Sequence, residues 1–398
     1  SKYLAGVGEY ILKQRPVNLM LLISALSFIK CIALFLGFRA ILNHAQRFGY
    51  FPDSGMYERI SANLLFGHGF SLSAFPPFVP TMNKEPLYSL LIYLIRLLPF
   101  GNINFVVILQ VLLNPLLGIL IYFIGKEVFN EGISRFSALL VVLMPVYGEI
   151  SLFIMPELLF ALLISATLLF FLKAVKSGNL IWFISSGLLL GFTALCRNAA
   201  LPLFLILPVA VLLFKSGGHI RKKGLILKLG VFIFSFVAVV TPWMMRNQEK
   251  LGLFSISRRG GEILSHQAYW AANFSVKEWK AYSLYLLSGN LAQKLFPQVI
   301  GKDLGEYEYR VLMRTSYVGQ LSSVHSEGEV EKILIKSALK DIIRHPLRFL
   351  LLSLIIYAQS FKYFESASLM LIKGPVVLTW MASLLRSALF IIGALYTA

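Results

Sequence analysis

The sequence predicts an all-α polytopic membrane protein, a transmembrane helical bundle with interfacial helices in its first outer loop and a small, mainly helical outer domain. Three observations carry this expectation. The chain is 57% hydrophobic and only 14% charged, against about 25% charged in a typical soluble domain. Its mean hydropathy is +0.74. Several windows of roughly 18 residues or more are almost free of charge, which is the length a membrane-crossing helix needs.

Spans are expected at 18–40, 103–124, 134–150, 156–174, 179–196, 199–214, 225–245, 346–362 and 374–396. The first is longer than a signal-peptide core and lacks a small-residue cleavage site, so it reads as a retained anchor. Two stretches, 41–102 and 246–345, are too polar for lipid. Residues 86–99 (PLYSLLIYLIRLLP) are ambiguous. A helix of that length reaches about 21 Å, short of the hydrocarbon core of about 30 Å, and would hold Arg96 inside it.

Charge asymmetry arbitrates. If 86–99 does not cross, segments 1–17, 125–135, 173–178, 215–228 and 362–373 share one side and hold fourteen Lys and Arg. The short turns opposite hold only Arg197. The positive-inside rule makes the basic side cytoplasmic. The expected organisation is a multi-pass plasma (inner) membrane protein with a cytoplasmic N-terminus. Residues 1–245 form the core, including the first outer loop 41–102 with its non-spanning helix 86–99. Residues 246–345 form an outer domain, helical at 274–292 and 327–345, and 346–398 supply C-terminal spans.

Several classes are set aside. The net charge of +18 belongs to loop lysines and arginines beside an anionic leaflet, so no nucleic-acid partner is expected. Cys31 and Cys196 stand far apart in apolar surroundings, with neither a disulfide framework nor metal-ligand spacing. No Walker A, GxGxxG, HExxH or GxSxG pattern occurs.

The polar residues near the membrane boundary carry the chemistry. Asp53 stands at the start of SGMYERISANLLF, where it either caps a helix or serves as a general base at the lipid–water boundary. Lys84-Glu85-Pro86 opens the next helix. Pro86 suits its first position and Glu85 favours its dipole, whereas Lys84 either snorkels into headgroups or meets a ligand phosphate. Arg197 lies between two apolar runs, where an arginine needs a partner or a polar cavity. Glu149 and Glu157 are its candidate partners, and each is also a candidate to bind the acceptor or a divalent cation. At the end of the 225–245 span, Trp243 reads as an interfacial anchor, and Arg246 and Asn247 emerge at its level. Arg258-Arg259-Gly260-Gly261 forms a basic turn that suits either an anionic ligand or lipid headgroups. His68 and His266 are further candidate substrate contacts.

Together these pieces resemble the GT-C superfamily of polyprenyl-phosphate-sugar-dependent glycosyltransferases, nearest to glycosyltransferase family 39, the protein O-mannosyltransferases, and the lipid A aminoarabinose transferases. The carriers are PDSGMY with Asp53 and Tyr57, NKEPLY at 83–88, MPELLF at 155–160, LCRNAALP at 196–202 and PWMMRN at 242–247. The resemblance implies that Asp53 is the catalytic base and that Lys84, Arg197 and Arg246 bind the donor phosphate. Tyr57, Glu85, Glu149, Glu157, Asn247, Arg258, Arg259 and His266 then fall to substrate binding. It implies a polyprenyl-phosphate-linked sugar donor, a lipid, glycan or protein acceptor, and transfer on the outer face. No cofactor is required, and a divalent cation held by Glu157 beside Asp53 is an option. Ser54, rather than a second acidic residue, follows Asp53, and Glu85 replaces a proline after the lysine. The competing class is a transporter or flippase of a lipid-linked glycan, which also buries charges but tends to show paired repeats.

Overall fold

The computed structural model describes residues 16–41, 53–99, 101–214, 222–287, 289–302 and 315–362. Among these the regular elements are helices, with one isolated antiparallel bridge between Ser71 and Pro80. The expected span 374–396 and residues 42–52 of the first outer loop lie outside the described residues. The chain forms two compact units that meet in sequence at Arg246 and Asn247.

The first unit contains α1 (Pro16–Ile41), α2 (Ser54–Leu65), α3 (Pro86–Arg96), α4 (Ile103–Val128), α5 (Glu131–Leu143), α6 (Pro145–Leu152), α7 (Glu157–Ser177), α8 (Leu180–Cys196), a 3-10 turn (Asn198–Ala200) and α9 (Leu203–Phe214). It also holds most of α10 (Lys222–Leu251). Within α1, α4, α7 and α10 lie four stretches long and apolar enough to cross a membrane, and α5 with α6 makes a fifth if the bent pair is one span. The protein is therefore an all-α polytopic membrane protein. The expected spans 179–196, 199–214 and 346–362 appear as shorter apolar helices.

Side-chain chemistry sets the helix ends. Asn102, Asn130 and Asn179 accept hydrogen bonds from the first-turn backbone of α4, α5 and α8, satisfying N–H groups that the helix leaves unpaired. Gly178 closes α7 in the left-handed region at φ 67°, where a side chain would be strained.

The expected continuous span 134–150 is broken instead. α5 stops at Leu143 and α6 restarts at Pro145, with a 50° bend. Pro145 has no N–H to donate and forces Met144 into an extended conformation (φ −65°, ψ 122°), so the helix ends there. Backbone carbonyls freed inside a membrane need other donors. At the break Lys30 Nζ donates to Met144 O at 3.4 Å, and two amides on α4 serve oxygens within and just after α6. Asn114 Nδ2 donates to Tyr147 O at 2.5 Å and to Ser151 Oγ at 2.7 Å. Gln110 Nε2 donates to Ser151 O at 3.1 Å and Phe153 O at 2.7 Å.

α7 lies along α8, and α8 presses against α10 through Gly187 and Gly191. A Cβ at Gly187 would stand 2.3 Å from Phe232 O, so only glycine allows this approach. Small residues one turn apart are the usual means of bringing membrane helices together. α10 also differs from expectation, running on to Leu251, so Arg246 and Asn247 are helical residues rather than the first of a loop.

The second unit contains α11 (Arg259–Asn273), α12 (Val276–Leu287), α13 (Gly289–Leu295), α14 (Pro297–Ile300), α15 (Thr315–Val324), α16 (Glu327–Arg344) and α17 (Pro346–Lys362). The helix expected at 274–292 is thus divided into α12 and α13, and the one at 327–345 is α16. Its main core gathers Ala271, Phe274, Tyr282, Tyr285 and Leu352, with Trp270 and Trp279 packed against them. α16 starts with a reciprocal capping box between Ser326 and Glu329.

Candidate active site

Asp53 is the residue before α2. Its backbone is already helical (φ −80°, ψ −19°) and its side chain makes no capping hydrogen bond. The carboxylate turns instead to Lys84, with Nζ 2.7 Å from Oδ2. Lys84 is fully buried, while the Asp53 side chain is 29% exposed. Neither helix capping by Asp53 nor headgroup snorkelling by Lys84 occurs. A buried ammonium without an anion would be costly, which accounts for the pairing.

The pair is fixed from several sides. Lys84 Nζ stands 5.1 Å from the centre of the Tyr57 ring, a cation-π contact. Tyr57 meets Tyr88 edge-to-face at 5.1 Å. The Tyr88 hydroxyl donates to Gln110 Oε1 at 2.6 Å, so the amide that holds the end of α6 also positions this tyrosine. Ser54 Oγ donates to Ile154 O at 2.9 Å and ties the start of α2 to the bend between α6 and α7.

Arg197 follows α8 in an extended conformation. Its guanidinium pairs with the Glu157 carboxylate at the first position of α7. Next to it, the Asn198 backbone N–H donates to Glu85 Oε1 at 3.3 Å. Glu85 therefore spends its carboxylate on the turn after α8 and makes no side-chain cap at α3. Of the two acids considered for Arg197, Glu157 is the one paired with it, while Glu149 is buried on α6.

Arg246 holds the loop between α2 and α3. It donates to Thr81 O at 3.0 Å and Phe70 O at 3.3 Å, and its guanidinium lies 4.9 Å from the Trp243 ring. Trp243 packs on Phe70 at 4.8 Å. In the same loop His68 stacks on Phe78 at 3.8 Å, between Gly67 and Gly69, both at φ 76°.

Asp53, Tyr57, Lys84, Glu85, Glu157 and Arg197 are thus brought together in the first unit. His68, Glu149 and Arg246 belong to the same unit, whereas Asn247, Arg258, Arg259 and His266 belong to the second. Asn247 Nδ2 donates to Ser255 O at 2.8 Å and Ile256 O at 3.2 Å, folding the chain back after α10. Arg258 precedes α11 and Arg259 begins it, the Arg259 side chain lying outside the described residues. His266 is buried, with Nε2 3.8 Å from Glu262 Oε1.

Sequence reasoning missed Gln110, Asn114, Asn198 and Glu331. The first two carried a signal, since amides four residues apart in an apolar helix share one face. Glu331, on α16, accepts the Gly261 N–H at 2.6 Å. Burial pushes its carboxyl up to about 7, against the opposing pull of that hydrogen bond and of Arg258. Among the described residues no three ligating acids, histidines or cysteines converge on a cation position. At the proposed cation position Glu157 is already engaged by Arg197, and Asp53 by Lys84.

This arrangement places a partly exposed carboxylate against a buried ammonium, beside a guanidinium that is 38% exposed. It suits proton abstraction next to a group that gains negative charge.

Residues 83–243 match the family model described as Dolichyl-phosphate-mannose-protein mannosyltransferase. The matched stretch contains Lys84, Glu85, Glu149, Glu157 and Arg197; Asp53 and Arg246 lie outside it. A protein of Bacillus subtilis (strain 168) named "Putative mannosyltransferase YycA" is 32% identical over 175 residues, covering 43% of this chain. The chain spans about a quarter of that relative's length, 24%. Over the matched stretch these likenesses support the resemblance to the GT-C superfamily.

Proposed function

We propose that this chain is a GT-C-type inverting membrane glycosyltransferase that moves a sugar from a polyprenyl phosphate to an acceptor hydroxyl. The likeness to mannosyltransferases supports mannose as the sugar. The observation that carries the reading is the Asp53–Lys84 pair, a carboxylate withheld from helix capping, fixed by a buried lysine and still reachable from outside.

The acceptor oxygen attacks the anomeric carbon from the face opposite the phosphate. Its proton passes to the Asp53 carboxylate, and the bond from the anomeric carbon to the phosphate oxygen breaks. Polyprenyl phosphate leaves with the bonding electron pair. Arg197 presents an accessible guanidinium to the oxygen that gains charge, and Lys84 adds a fixed positive charge beside the base. Arg246, whose donors engage loop carbonyls, acts in this reading by holding the first outer loop in place. The charge asymmetry of the loops supports an outer-face site with a cytoplasmic N-terminus. The acceptor is a hydroxyl of a lipid, glycan or protein.

The test is release of polyprenyl phosphate from labelled polyprenyl-phosphate mannose by the full chain in detergent. Asp53→Asn is expected to lower the rate by about 100-fold or more. Undiminished turnover by that variant would sink the assignment.

A further inference from the structure

α16 carries a four-residue pattern that its packing uses only in part. Leu334-Ile335-Lys336, Ala338-Leu339-Lys340 and Ile342-Ile343-Arg344 repeat the order apolar, apolar, basic. Four residues make about one helical turn, so each position of the pattern becomes a row, and neighbouring rows stand about 100° apart. The first row turns inward, with Leu334 and Ala338 buried where α16 lies along α11. The second row, Ile335, Leu339 and Ile343, is exposed, and Ile343 is 77% exposed. Lys336, Lys340 and Arg344 form the third row, also exposed, with Lys332 one turn ahead of them. A surface helix of a soluble domain needs one apolar face, directed at its core. α16 has a second, and α11 does not cover it.

The exposed apolar band continues past the end of α16. After His345, α17 presents Leu347, which is 79% exposed, and then Leu350, Leu351 and Leu354. Phe349 and Leu352 on the same helix pack in the aromatic core, so α17 too has one apolar face inward and one outward. The basic row lacks acidic neighbours. Lys332 donates to Gly252 O at 2.8 Å, and Lys336, Lys340 and Arg344 make no ion pair among the described residues. Like charges four residues apart on a helix repel one another, a cost that an anionic surface removes.

We propose that the outer face of α16, with the exposed leucines of α17, lies against the anionic surface of the lipid bilayer. Lipid meets both rows at once. Acyl chains receive Ile335, Leu339 and Ile343, and headgroup phosphates receive the ends of Lys336, Lys340 and Arg344, whose stems lie along the apolar row. An acidic soluble protein would satisfy the basic row, but it would leave the leucines of α17, an apolar helix in a membrane protein, without an occupant. α16 is then a layer between the core of the second unit and the headgroups, and its contact selects anionic lipids.

The test places a fluorophore on Leu339→Cys and on Ile343→Cys in the full chain, reconstituted in nanodiscs of phosphatidylcholine with and without phosphatidylglycerol. Cys31 and Cys196 are buried, and the unsubstituted chain gives the labelling background. Quenching is compared between lipids bearing a nitroxide on the acyl chain and iodide in the water. Nitroxide lipid is expected to quench both sites more than iodide does, and more strongly when phosphatidylglycerol is present. The Lys336→Gln/Lys340→Gln/Arg344→Gln variant should lose that dependence, at roughly fivefold in the ratio of docked to undocked helix for each charge. A labelled chain that melts earlier than wild type is replaced by Leu347→Cys, on the same band. Stronger quenching by iodide overturns the proposal. So does protection from both quenchers, because a second copy or another segment of protein would then cover the band. A wild-type signal indifferent to phosphatidylglycerol, or a triple variant that keeps the full dependence, overturns the anionic contact.

Discussion

Lys84, with no exposed surface, holds Asp53 through a 2.7 Å contact while the aspartate keeps 29% of its side chain open. The asymmetry assigns different duties to the two ends, since the lysine is a fixed part of the wall and the carboxylate faces whatever enters. Lys84→Met is expected to cost about 1–3 kcal/mol. That is less than the ~3–5 kcal/mol for breaking a fully enclosed pair, because Asp53 still meets water. Adding Asp53→Asn should return most of that stability in a detergent melting experiment and no activity. A double variant no more stable than Lys84→Met would show that the pair is not the source of the loss.

The end of α6 is held by the amides of α4. Gln110→Leu removes the donor to Ser151 O and Phe153 O and the acceptor of the Tyr88 hydroxyl. Each uncovered group costs about 1–3 kcal/mol. The variant should melt earlier and also lose activity, since Tyr88 packs against Tyr57. Retention of both properties would mean that water replaces the amide.

Packing of α8 on α10 sets a steric limit at Gly187. Gly187→Leu places atoms where Phe232 O already stands, and helix separation should lower thermal stability by about 1–3 kcal/mol. Gly230, on α10, has open space around an added Cβ, so Gly230→Ala should instead stabilise the helix by roughly 0.5–1 kcal/mol. Equal effects of opposite expectation would refute the close approach.

Glu331 gives the second unit a pH dependence. Its carboxyl is raised to about 7 from the usual 4.5 by burial. The unfolded chain therefore ionises this group first as pH climbs. Stability contributed by the protonated group is present below 4.5 and is lost progressively up to about 7. Glu331→Gln should melt higher than wild type at pH 8 and show a flatter profile between pH 5 and 8. An unchanged slope would place the titration elsewhere.

The sequence by itself determined the membrane class, because apolar runs of helical length have no other solvent. It also placed the short apolar helix α3, since Pro86 fixes where it begins and the turn after Arg96 closes it at eleven residues. It pointed to Asp53, Lys84, Glu157 and Arg197, because charges at a lipid boundary are too costly to be incidental. What it could not decide was partnership. Asp53 and Lys84 are separated by a whole helix and a loop, and Glu157 and Arg197 by two membrane helices, so no periodicity links them. The 50° bend between α5 and α6 draws on other helices, with Lys30 donating to Met144 O and Gln110 and Asn114 to carbonyls in and after α6. Only the folded chain shows that one proline and two amides together keep the α6–α7 stretch where Ser54 can fasten to it. Tertiary packing thus turned four separate boundary charges into two ion pairs, since burial forces each charge to find the nearest opposite one.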